Sequence, residues 1–207
     1  MGCKKNIVLI RHANSIGNKN GIIQGHLDYS LSDRGKEEAI SLGEYFKKNN
    51  IIFDKVYSSD LARAFETAIL SSGFNKKNII LSKDLREIYL GSWQGKKKSE
   101  IFTNEIRMTW EKSPSKVNIK DAETLKDAGK RMMRFLKTIS GENIAVFSHG
   151  GIIAIFLSII KGTDIDDCWK FRHENTAYSF LEKEDQNIKI TKYNIHSHLK
   201  TADDSWF

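Results

Sequence analysis

Short runs rich in isoleucine and valine alternate along the chain with longer amphipathic stretches. The short runs predict strands at Asn6–Ile10, Lys55–Ser58, Ile79–Ser82, Ile144–Ser148, Ala177–Leu181 and Ile188–Tyr193. Among the longer stretches, Asp33–Lys48 carries Ala39, Leu42 and Phe46 at helical spacing, with Ile40 beside the stripe. Asp60–Ser71 reads as a second helix with Asp60 as its N-cap, and Thr124–Ile139 and Gly151–Ile160 read as two more. Strands alternating with helices predict an α/β fold whose central sheet is mostly parallel and covered by helices on both faces. The last two runs are separated only by EKEDQN, which predicts an antiparallel hairpin at one edge of the sheet. Lys96 to Asp121 is weakly patterned and reads as a helical excursion over the sheet. A single proline, Pro114, and the lack of repeats or linker composition predict one domain over residues 1–207. A chain of this length buries about 70% of its unfolded surface and needs no disulfide or metal to fold.

One feature of the pattern is chemical. The run IVLI passes straight into Arg11 and His12 with no polar transition. In an open parallel sheet, ligands bind beyond the carboxyl ends of the strands, so such a strand delivers two polar side chains to that edge. The arrangement repeats: NIAVFSHGG is an apolar strand ending in Ser148 and His149, with Gly150 and Gly151 opening a helix. A third strand, KVYSS, hands over to DLARAFET, which places Arg63 in the first turn of the next helix. Taken singly these residues are ordinary: a strand-end histidine is usually structural, and Arg63 could pair with Glu66. Their convergence is not ordinary, because uncompensated positive charge near a core is costly. Two arginines and two histidines at one edge, beside helix N-termini, point to an anionic ligand.

Charge supports the anion and narrows its kind. The formal net charge is +7 and the pI about 9.3, which favours anionic partners. The doublets Lys47-Lys48 and Lys76-Lys77 read as solvated helix and loop ends; no aromatics are interleaved to stack on bases, so no nucleic-acid partner is expected. Two distant cysteines, Cys3 and Cys168, suit a reducing compartment. MGCKK leads into a strand without a signal-peptide apolar region, and Asn6 stands where a myristoylated Gly2 would want Ser or Thr. The longest apolar stretch, Ile152–Ile160, is too short to cross a bilayer, so the expectation is a cytoplasmic protein with no membrane partner.

LIRHANSIGN, QGHLDYSLSDRGKEEA, VYSSDLARAFETA, LREIYLGSWQG and VFSHGG follow one another in this order between Asn6 and about Ile160. Together, with HENTAYSFLE and YNIHSHL near the end, they resemble the histidine phosphatase superfamily, the phosphoglycerate mutase-like group. The resemblance implies that His12 is a nucleophile that carries the phosphoryl group as phosphohistidine, and that Glu87 is the general acid and then the general base. It implies that Arg11, Asn18, Arg63, His149 and Gly150 bind the phosphoryl oxygens, with Ser148 orienting His149. Ser15, Gln24, Gly25 and Lys98 are the expected substrate contacts. Without the resemblance, Glu87 would read as a surface partner of Arg86, and Trp93 as packing. No metal and no cofactor are implied; His196 and His198 are spaced unlike a metal box.

The group contains both phosphatases and mutases. Ala13, Asn14, Ser15, Tyr29 and Gln94 depart from its commonest residues, and none of them removes the nucleophile or a phosphate ligand. The stretch after the Glu87 block is short for a cofactor-dependent phosphoglycerate mutase and holds only Arg107, and Leu90 stands where such mutases have tyrosine; Lys98 is the one mutase-like residue. The expectation is therefore metal-independent hydrolysis of a small phosphorylated metabolite. Candidate substrates are α-ribazole 5′-phosphate, phosphoglycerates, phosphoserine, other small monoesters and protein phosphohistidine. A mutase and a non-catalytic phosphometabolite sensor are the alternatives, and a homodimer is left open by the sequence.

Overall fold

The computed structural model describes residues 4–199, so Gly2 and Cys3 lie outside the described residues. Its strands are β1 (Lys5–Arg11), β2 (Lys55–Ser58), β3 (Ile80–Leu81), β4 (Asn143–Ser148), β5 (Tyr178–Glu184) and β6 (Asn187–Ile195). They form one sheet in the order β3-β2-β4-β1-β5-β6. β3, β2, β4 and β1 run parallel, and β5 and β6 add two antiparallel strands at the far side. The predicted hairpin is there, but it also lies against β1, the strand that ends in Arg11.

The helices are α1 (Ile16–Lys19), α2 (Asp33–Lys48), α3 (Ala62–Ser71), α4 (Lys98–Ile101), α5 (Asn104–Lys112), α6 (Leu125–Thr138) and α7 (Gly150–Lys161). Alternation along β1 divides the core. Ile7 and Leu9 join the cluster that includes Met132 of α6 and Ile155 of α7, whereas Val8 and Ile10 join Leu42 and Phe46 of α2 and Ala68 of α3. Both faces of the sheet are thus covered by helices. Helix α7 is buried along Gly150–Ser158, which explains why its sequence is apolar all round. The weakly patterned stretch folds into α4, α5 and a short 3₁₀ turn at Pro114–Lys116. No helix among the described residues is long and apolar enough to cross a membrane.

Two local expectations are corrected. Ile40 is 46% exposed, so the buried stripe of α2 is Ala39, Leu42 and Phe46, joined by Glu38. Helix α3 begins at Ala62, and Asp60 does not cap it: Asp60 takes a two-pronged ion pair from Arg86, at 2.7 and 2.5 Å. Such a fork outcompetes a single backbone N–H for the carboxylate. The Ala62 N–H is met instead by Asp28 Oδ1, 2.6 Å away.

Candidate active site

β1 and β4 are parallel and in register to their ends, with Arg11 opposite Ser148. The ladder continues past the strand, because the His12 N–H donates to the Ser148 carbonyl at 2.9 Å. From the other side, Asn175 Nδ2 donates to the His12 carbonyl at 3.0 Å, as does the Thr176 N–H at 3.3 Å. The His12 backbone is therefore held from both flanks. Its ring is 3% exposed, and Nδ1 lies 2.7 Å from the Ala13 carbonyl. A carbonyl can only accept, so the proton sits on Nδ1 and the Nε2 lone pair is left open. Burial, then Arg63 and Arg11, hold the ring well below the usual histidine range, so it is neutral at pH 7.

His149 follows β4 and precedes α7, and its ring lies 5.1 Å from that of His12, edge on. It is fully buried, and neither ring nitrogen has a hydrogen-bond partner among the described residues. Burial first, then Arg63 and His12, keep it neutral as well. Ser148 does not orient it: the Ser148 hydroxyl donates to the Leu85 carbonyl at 2.8 Å and so ties the segment before Glu87 to the sheet.

Arg63 is 1% exposed and anchored through backbone, with Nη1 donating to the Leu27 carbonyl at 2.9 Å and Nη2 to the Gly25 carbonyl at 2.8 Å. Its Nε–H has no partner among the described residues. Burial lowers its pKa to about 10, which leaves it charged at neutral pH. On the other flank, an Arg11 guanidinium N–H donates to the His173 carbonyl. Carbonyl anchors fix both guanidinium groups without neutralising them.

Glu87 is not the partner of Arg86. Its carboxylate accepts the Gly151 N–H at 3.0 Å and the Ile152 N–H at 2.9 Å, at the N-terminus of α7, together with its own neighbour Ile88 N–H at 2.9 Å. The backbone of this turn is clamped by Arg131 of α6, which donates to the carbonyls of Asp84, Arg86 and Glu87 at 2.8, 2.8 and 3.1 Å. His26 Nε2 meets the same Glu87 carbonyl at 2.7 Å.

A cleft of about 120 Å³ unites most of the predicted residues: Arg11, His12, Asn18, Gln24, Gly25, Arg63, Glu87, Lys98 and Gly150 all line it. His149 is not part of the lining and sits behind it, against His12. Ser15 is corrected: it is fully buried, does not line the cleft, and forms a capping box on α1. Its hydroxyl donates to Asn18 Oδ1 and meets Gln24 Oε1, each at 2.8 Å, so it sets the two side chains that do line the cleft. With its carbonyl oxygen taken by Ser15, Asn18 keeps its amide N–H groups for a ligand. Gly25 holds a left-handed φ of +49°, and a Cβ there would lie 2.0 Å from Gln94 Oε1, so any other residue is strained and displaces the Gln94 side chain, which accepts the His26 N–H. Trp93 packs as expected but also lines the cleft.

Sequence reasoning missed Asn175, Thr176, His26 and Arg131, whose roles are long-range bonds to backbone carbonyls. HENTAYSFLE was a visible block, but only the antiparallel β1–β5 pairing brings its Asn175 to His12. His196 and His198 are engaged with the Asn194 carbonyl and the Thr176 hydroxyl. Among the described residues, no group of three or more His, Cys, Asp or Glu side chains is placed to hold a metal ion.

Residues 7–196 match the sequence profile of the histidine phosphatase superfamily (branch 1). The chain is 30% identical over 199 residues to phosphoserine phosphatase 1 of Hydrogenobacter thermophilus, covering 93% of each protein. It is 25% identical over 180 residues to the adenosylcobalamin/alpha-ribazole phosphatase of Escherichia coli, covering 84% of this chain and 88% of that one. Its fold superposes on Bacillus stearothermophilus YhfR with a TM-score of 0.85 at 24% identity, over 94% of this chain and 98% of that one. With the profile spanning nearly its whole length and the strand-end histidines in register, the chain belongs to the histidine phosphatase superfamily.

Proposed function

We propose that this chain is a phosphoric monoester hydrolase that cleaves a small phosphorylated metabolite through a phosphohistidine on His12. The observation that carries the reading is the state of His12: buried, neutral, its proton committed to the Ala13 carbonyl, and flanked by Arg63 Nε and the His149 ring nitrogens, which have no partner among the described residues. A lone pair backed by unpaired buried donors is what an in-line attack on phosphorus requires. His12 Nε2 attacks phosphorus, a P–N bond forms, and the bond to the ester oxygen breaks. Glu87 protonates the departing alkoxide. Water then attacks the phosphohistidine, Glu87 takes its proton, and phosphate leaves with Nε2 restored. Arg11, Arg63, Asn18, His149 and the Gly150 N–H stabilise the charge spread over the equatorial oxygens, where most of the rate of phosphoryl transfer originates. Ser15, through Asn18 and Gln24, is a positioning residue.

The step uses no metal in this reading, and the compartment is the cytoplasm. There Cys168, whose thiol is pushed up to about 12 by burial, stays inert. Relatives named as phosphoserine and alpha-ribazole phosphatases support a phosphatase. The test is phosphate release from a panel of monoesters in EDTA, with His12→Ala alongside and the wild type quenched during turnover. Expected are release by the wild type, none by the variant, and an acid-labile, alkali-stable phosphate mapped to His12 by mass spectrometry. Transfer of phosphate between phosphoglycerates without release assigns a mutase instead. Tight phosphate binding with no turnover assigns a sensor.

A further inference from the structure

The polar residues of the cleft account for only part of its lining. The rest includes Ile22, Leu90, Trp93, Phe102, Trp110 and Trp169, with Lys98 as the cation contributed from this side. The four aromatic rings form one contiguous cluster: Trp93 lies 5.6 Å from Phe102 and 5.5 Å from Trp110, and Trp110 lies 5.2 Å from Trp169, centroid to centroid. The cluster offers mainly ring surface, and the Trp169 indole N–H is already given to the Trp110 carbonyl at 2.6 Å.

A buried core would use such rings with no need for an opening, yet here they edge the same cleft as His12 and Glu87. Two substrate types would treat this wall differently. A monoester whose alcohol carries a carboxylate, such as phosphoserine, must leave the water around that carboxylate and finds mostly apolar surface in return. On this wall the cation it meets is Lys98, set among apolar side chains. An apolar or aromatic alcohol loses nothing polar and gains ring contacts.

We infer that the physiological substrate is a phosphomonoester of a compact apolar or aromatic alcohol, held by its phosphate at Arg11 and Arg63 and by its alcohol against Leu90, Phe102 and Trp110. This rests on the proposed hydrolase activity and specifies the substrate class of the same site. Discrimination arises from the apolar wall, so it appears in kcat/KM and follows the size of the alcohol.

The experiment compares 2-phenylethyl phosphate, propyl phosphate and phosphoserine. All three leave as poor alkoxides, so differences report binding of the alcohol and not leaving-group reactivity. Expected is a kcat/KM for the phenylethyl ester at least about tenfold above that for the propyl ester, with phosphoserine lowest. Phe102→Ala and Leu90→Ser, both at partly exposed positions, should bring the phenylethyl-to-propyl ratio of kcat/KM close to one, because the larger alcohol loses more of the wall than the smaller. Using two variants guards against one that fails to fold, and circular dichroism checks each. Equal rates on the phenylethyl and propyl esters, or a preference for phosphoserine, overturn the substrate class and leave the hydrolase standing. Silence on all three esters, in folded wild type, overturns the hydrolase and the substrate class together.

Discussion

Replacing Glu87 with glutamine keeps the shape of the side chain and removes its capacity to give and take a proton. The structure sets two magnitudes against each other. The first concerns stability. Glu87 accepts N–H groups from Gly151, Ile152 and Ile88, and a glutamine keeps one acceptor oxygen while turning an NH₂ toward the remaining donor or donors. Losing a charged cap at a helix N-terminus costs about 1–2 kcal/mol, set against total stabilities of about 5–15 kcal/mol, so Glu87→Gln should fold. The second concerns rate. Removing a general acid costs about 10²- to 10⁴-fold, or about 3–5 kcal/mol of transition-state energy. Only the second effect is large enough to abolish turnover. The assay measures kcat/KM on 2-phenylethyl phosphate and on p-nitrophenyl phosphate. That ratio stops at release of the alcohol and so does not see the hydrolysis of phosphohistidine, in which Glu87 acts again. An alkoxide needs the proton and a nitrophenolate does not. The expected outcome is a loss of about a hundredfold or more on the alkyl ester and under about tenfold on the aryl ester. An equal loss on both would show that Glu87 holds the N-terminus of α7 in place and does not serve as the acid.

Two further predictions concern the frame around the site. Burial holds His12 and His149 well below the usual histidine range and lowers His173 to about 4. Their folded pKa values lie below the unfolded value of about 6.5, so the unfolded chain binds more protons and stability falls as pH drops below about 6.5. His173 alone should cost about 2 kcal/mol between pH 7.5 and 5, with His12 and His149 acting in the same direction; urea unfolding at the two pH values measures the loss, and a flat profile would refute the burial argument. In Gly35→Ala, the added Cβ would lie 1.8 Å from the Asn14 carbonyl oxygen, where the start of α2 meets the loop after His12. Overpacking against backbone should cost about 2–3 kcal/mol, together with much of the activity, and a melting temperature unchanged from wild type would refute it.

Which parts of this site can be read in the sequence follows from how each residue is held. Arg11, His12, Arg63 and His149 were legible because each occupies a strand end or first helical turn in a buried, apolar context, where a charged or imidazole group has few reasons to be. Where a polar residue has a second use, reading failed. Asp60 stands where an N-cap belongs, yet the Arg86 fork claims it and Asp28, distant in sequence, meets the helix. Ser15 follows the Arg-His pair and so reads as a ligand contact, although its spacing to Asn18 equally spells the capping box it forms. The positioning residues were illegible for a different reason. Arg131, His26 and Asn175 bond to backbone carbonyls of Glu87 and His12, and a carbonyl carries no side-chain identity for any pattern to match. They are nevertheless what turns convergent charge into chemistry. Arg11 and Arg63 are both anchored on backbone carbonyls, which fix the guanidinium groups beside His12 without carrying a charge of their own. Burial first, and then the charges of Arg63 and Arg11, keep His12 unprotonated. The frame and the imidazole are therefore one design: carbonyls hold the cations, and burial together with the cations keeps the ring neutral.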